Sequence, residues 1–77
     1  MKILKRLIQF KINKGEKYYI AECIDLPIVT QGQSLDELVK NMQEAIELYL
    51  EGENLEELDL APNFTALVNF ELGEINA

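Results

Sequence analysis

The sequence predicts an α+β domain in the order β-β-β-α-β, with a three- or four-stranded mixed sheet and one long helix packed on one face. Three observations carry this. Apolar residues alternate between Leu4 and Ile12, a capped helical periodicity runs from Ser34 to Gly52, and alternation returns between Ala66 and Leu72.

The first strand is half-buried in pattern: Leu4, Ile8, Phe10 and Ile12 hold even positions with Lys5, Gln9 and Lys11 between them, while Arg6 breaks the pattern and Leu7 blurs it. Asn13-Lys14-Gly15-Glu16 is polar and has a glycine able to turn. The β-branched and aromatic run from Lys17 to Cys23 then reads as the returning arm of a hairpin. Asp25-Leu26-Pro27 interrupts it, because proline has no N–H to give a ladder, and Ile28-Val29-Thr30 suits a short, edge-like third strand. Gln31-Gly32-Gln33 is expected to turn the chain out of the sheet.

Ser34 and Glu37 stand in the S-x-x-E spacing of a capping box, in which each side chain satisfies an amide left free at a helix start. Leu35, Leu38, Val39, Met42, Ala45, Ile46, Tyr49 and Leu50 follow at three- and four-residue steps and define the core stripe. Asp36, Glu37, Lys40, Gln43, Glu44, Glu47 and Glu51 face away, and Gly52 is the expected stop. Asn54 can start one short helical turn in the acidic segment 53–60, which Ala61-Pro62-Asn63 is expected to close. Ala66, Val68, Phe70 and Leu72 form the last strand, and residues 73–77 a tail. A helix separates the third strand from the last, so the last strand is expected to run parallel within the sheet. The second face of that sheet is left bare, and a second subunit is the simplest cover.

A chain of 77 residues makes one domain, 1–77, and at 48% hydrophobic and 27% charged residues it is globular in composition. The lone Cys23 can form no internal disulfide, the basic start Met1–Ile8 is interrupted before any signal-like apolar run develops, and no segment is long enough to span a membrane. These features point to the cytosol. The net charge of −7 is uneven: residues 1–33 hold six Lys/Arg against three acids, and residues 34–60 hold nine acids against Lys40 alone. Such a field repels phosphate backbones, which argues against direct nucleic-acid binding and for a basic protein partner, although surplus carboxylates also serve plain solubility.

With no histidine in the chain, Ser-His-Asp and Cys-His chemistry and histidine-bearing zinc sites are excluded. Cys23 lacks a base and falls at a buried-looking strand position, so it reads as a structural thiol. Glu22, Asp25, Asp36 and Glu37 have no diagnostic metal spacing. Gly32 stands alone before Ser34, so no phosphate loop opens the helix. Tyr18 and Tyr19 with the N-terminal lysines lack the paired pattern of base-stacking sheets. No enzyme activity, cofactor or metal is expected.

One stretch carries more than composition. Tyr19-Ile20-Ala21-Glu22-Cys23-Ile24-Asp25-Leu26-Pro27, then Thr30-Gln31-Gly32-Gln33-Ser34-Leu35-Asp36-Glu37-Leu38, then Asn41-Met42-Gln43-Glu44-Ala45-Ile46 resembles the HicB-type antitoxin family. That family has a strand, an Asp-Leu-Pro-Gly turn, a Gln-Gly before a capped helix and an Asn-x-x-Glu-Ala-Ile run. The match covers about residues 4–50. Ile24 and Ile28 depart from it, standing where proline and glycine are common, and a different turn geometry follows from them. The resemblance implies a degenerate ribonuclease-H-like fold and neutralisation of a HicA-like toxin, a small basic mRNA interferase; the homodimer is expected from the uncovered sheet face instead. The family's longer members append a helix-turn-helix or ribbon-helix-helix, and the residues after Gly52 are too few and too strand-like for one, so direct DNA binding is not expected. The alternative is a stand-alone accessory or ligand-binding domain of the same fold with no toxin partner. Asp25, Glu44, Glu47, Glu51, Glu56 and Glu57 are the expected partner-binding residues, since acids on an exposed helix face and beside a turn suit a basic surface.

Overall fold

The computed structural model describes residues 3–71 and Ile75. Met1, Lys2, Leu72, which was expected to end the last strand, and residues 73, 74, 76 and 77 of the expected tail lie outside them. Five elements follow in the expected order: β1 (Lys5–Lys14), β2 (Tyr19–Cys23), β3 (Val29–Gly32), α1 (Leu35–Leu50) and β4 (Leu60–Phe70). They build one four-stranded sheet ordered β3-β2-β1-β4. β1 is central, antiparallel to β2 and parallel to β4, so the sheet is mixed as the helical crossover requires.

Parity decides what is buried. Ile8, Phe10 and Ile12 of β1, with Ala21 and Cys23 of β2, face the helix and are buried; Leu38 and Met42 meet them from α1, and Leu26, Ile28 and Leu60 close the end. Cys23 pairs with Phe10 inside this core, a packing position for its thiol. The opposite face carries Gln9, Lys11, Glu22, Gln31 and Asn69 among the partly exposed Leu7, Ile20, Val29 and Leu67. That mixture tolerates water on the sheet face that the sequence leaves uncovered.

Three local expectations shift. The third strand continues through Gly32, which pairs with Tyr19, where the sequence places a turn. Ile28 is a buried anchor just before that strand and not part of it. The last strand starts at Leu60 and not at Ala66: β1 advances from Lys5 to Leu7 while β4 advances from Leu60 to Thr65, so Pro62 sits in an irregularity on an edge strand. There its missing N–H breaks no ladder bond.

The Ser34 half of the capping box forms, the Glu37 N–H donating to Ser34 Oγ at 3.1 Å, while the Glu37 carboxylate reaches one residue further back, where Oε2 accepts from the Gln33 N–H at 3.2 Å. Gly52, at φ +75°, ends the helix as expected. Of the predicted core stripe, Leu35 and Val39 are 44% and 46% exposed. α1 lies over β3 and β2 and not over β4, so the stripe's flank toward β4 finds no cover.

Candidate partner-binding surface

Asp25 ends the β1–β2 ladder. Past Cys23 the Ile24 N–H still donates to Gln9 O at 2.8 Å, but β2 offers no further backbone acceptor for the Gln9 N–H. The Asp25 carboxylate takes that place: Oδ2 accepts from the Gln9 N–H at 2.8 Å and Oδ1 from Lys5 Nζ at 3.0 Å. The Gln9 N–H first, then the Lys5 ammonium, hold Asp25 below the usual carboxylate range, against a smaller opposing effect of burial. Lys5 is more than half exposed, so the neutral backbone donor outweighs the ion pair. The turn itself is tight: the Ile28 N–H donates to Leu26 O at 2.8 Å around Pro27, and the Cys23 N–H donates to Ile28 O at 2.9 Å. This geometry buries Leu26 and Ile28 and leaves Ile24 65% exposed.

Replacing Asp25 with alanine is expected to cost about 2 kcal/mol, as for a hydrogen bond to a charged group, or about 10 °C in the thermal midpoint. The pH dependence has a definite sign. The folded pKa is depressed, so the contribution is present above the unfolded value of about 3.9 and is lost as pH falls through the lower folded value. Denaturant titrations of wild type and Asp25→Asn should therefore keep a constant gap from pH 5 to 7 and converge below about pH 4. A gap that grows on acidification would contradict the assignment.

The open acids lie elsewhere. Glu44 and Glu47 are exposed on α1 and Glu51 is exposed at its C-cap, at the i, i+3, i+7 positions of one stripe, and Leu48, at i+4, completes it with 69% of its surface exposed. These four residues and Leu50 line an open concavity at the C-terminal end of the helix. Leu48 was not singled out in the sequence; its signal was an aliphatic side chain at a position flanked three and four residues away by glutamates. Two local effects oppose this arrangement. Glu44 with Glu47 and Glu47 with Glu51 are like-charged neighbours, and carboxylates crowd the negative end of the helix dipole, where the last turn holds no basic residue. Among the described residues none of the three forms an ion pair.

Glu56 and Glu57 follow on an exposed turn, not a full helix. Asn54 Oδ1 accepts from the Glu56 N–H at 3.0 Å, and i+3 backbone bonds run from residues 57, 58 and 59. The Leu60 N–H reaches back to Leu55 O at 2.9 Å across Asp59, whose φ is 60°, a Schellman-type ending. The Lys5 N–H donates to Asp59 O at 2.6 Å while its ammonium holds Asp25. Lys5 thus ties the acidic segment to the Asp25 turn. The expected site residues separate into five outward-facing glutamates and one aspartate bonded within the chain.

Glu22, Asp25, Asp36 and Glu37 do not converge: Glu22 lies on the open sheet face, Asp25 is bonded to β1, and Glu37 serves the cap. Among the described residues no three acids or thiols are grouped as a metal ion would need, and no helix is long and apolar enough to cross a membrane. Set beside models of known families, curated proteins and solved structures, the chain matches none.

Proposed function

We propose that this chain is a non-enzymatic, cytosolic antitoxin-like module of the HicB type, which neutralises a small basic mRNA interferase of the HicA type by covering its RNA-binding surface. One observation carries the reading: Glu44, Glu47 and Glu51 surround an exposed leucine at a helix end where carboxylates are locally unfavourable. A fold keeps such a cluster at a cost, and a basic partner with a small apolar pocket is the surface that would repay it. Glu56 and Glu57 add exposed acids in the turn that follows the helix. Asp25 shapes the turn beside it, and its engaged carboxylate makes it a support and not a direct contact. The chain's negative field also opposes direct binding to nucleic acid.

Calorimetric titration of this chain with the small basic protein encoded beside its gene tests the reading. Complex formation should weaken steadily as salt is raised, because exposed charge pairs are screened over about 8–10 Å at physiological ionic strength. Absence of binding at low salt would overturn it.

A further inference from the structure

β4 is an unprotected edge. The Glu71 N–H donates to Ile12 O at 3.2 Å, which in the parallel register turns the backbone of the odd-numbered residues of β4 toward β1. The N–H and C=O groups of Phe64, Ala66, Val68 and Phe70 therefore point outward, with no strand beyond them among the described residues. Sheet edges are ordinarily blunted by charge, brevity or cover. β3, the opposite edge, is four residues long, and Asn41 Nδ2 caps its Gln31 carbonyl at 2.7 Å. β4 is eleven residues long and contains no charged side chain, in a chain of net charge −7.

We propose that β4 pairs antiparallel with β4 of a second copy of this chain, about a two-fold axis at Leu67, joining the two sheets into one. The segment Phe64-Thr65-Ala66-Leu67-Val68-Asn69-Phe70 reads alike in both directions by chemical class. Centred on Leu67, it sets Phe64 opposite Phe70 and Ala66 opposite Val68, both as hydrogen-bonded pairs made by the outward-pointing backbone groups. Thr65 meets Asn69 and Leu67 meets Leu67 on the open face. A two-fold interface must be self-complementary in this way. Centring on Ala66 would ask Pro62 for an N–H it lacks, and centring on Val68 would set Leu67 against Asn69. The pairing also covers surface the monomer leaves bare: Leu67 is 45% exposed, Val68 and Phe70 are each 41% exposed, and an apolar cleft of about 120 Å³ lies between Ala66, Val68 and the Val39 and Ile46 flank of α1. The acidic stripe occupies another side of α1, so this pairing stands whether or not a basic protein binds there.

Sedimentation of the full chain at about 100 μM should give twice the 8.8 kDa chain mass. Leu67→Lys, which opposes two ammonium groups on the axis, should give the single-chain mass with an unchanged far-ultraviolet spectrum. Leu67→Cys should oxidise to a covalent dimer, since facing residues of a non-hydrogen-bonded pair lie about 4.5 Å apart at Cα, within disulfide reach. Thr65→Cys, which faces Asn69, should yield at least roughly tenfold less, and buried Cys23 leaves the wild type as a clean background. A single-chain mass for the wild type, or equal cross-linking of the two cysteine variants, would overturn the proposal.

Discussion

Reversing Glu44, Glu47 and Glu51 to lysine is expected to weaken binding of the basic partner by at least about a hundredfold while raising the thermal midpoint by about 4 °C. The two effects have opposite signs for one reason. Three lysines repel one another as the three carboxylates do, but cations suit the negative end of the α1 dipole and reduce the chain's net charge of −7, so the fold alone is better off with them. A loss of binding in this variant could not be blamed on unfolding. Leu48→Ala should weaken binding by about tenfold with no gain in midpoint, as for an apolar anchor inside a charged ring. Thermal melts and calorimetry on the same samples check both. Unchanged affinity in the triple variant would remove the acidic stripe from the interface.

Gly32→Ala is expected to abolish cooperative folding or lower the midpoint by more than about 15 °C. A Cβ at Gly32 would lie 2.6 Å from Leu38 N and 2.8 Å from Leu38 Cα, both backbone atoms of a helix whose Leu38 side chain is fully buried. No rotamer relieves such a contact, so β3 and α1 must part. Overpacking of that kind costs about 3 kcal/mol, most of the roughly 3–5 kcal/mol that a single core of this size supplies. Gly52→Ala is the internal comparison: nothing lies within 4 Å, but φ is +75°, so only backbone strain of about 1 kcal/mol is expected. Equal melting of the two variants would mean that the clearance under α1 is unimportant.

What the sequence made legible was local. Ser34 and Glu37 announce their cap through a spacing of three residues, and Ile8, Phe10 and Ile12 declare a buried strand face through parity. Gly32 reads as a turn residue, and only the structure shows that it stays in β3 with α1 in the missing side chain's space. The misplaced features depend on distant partners. Residues 60–64 join β4 because Leu60 pairs with Lys5 of β1 across the irregularity, a pairing that a segment with proline and asparagine does not advertise. Val39 belongs to the apolar stripe by periodicity and is exposed because α1 sits to one side of the sheet. Asp25 reads as a free acid beside a proline turn; that its carboxylate completes a ladder for Gln9 depends on β2 ending two residues earlier. The stripe of Glu44, Glu47 and Glu51 was legible, and Leu48 within it was not, because an aliphatic residue in a helix is ordinarily assigned to the core.

The most direct test of the antitoxin reading is co-expression of this chain with the small basic protein encoded beside its gene, followed by size exclusion and a ribonuclease assay on the eluted material. A single co-eluting peak whose RNA cleavage is suppressed, and returns when the triple lysine variant replaces the wild-type chain, is the predicted result. Two separate peaks with unchanged cleavage would contradict the account.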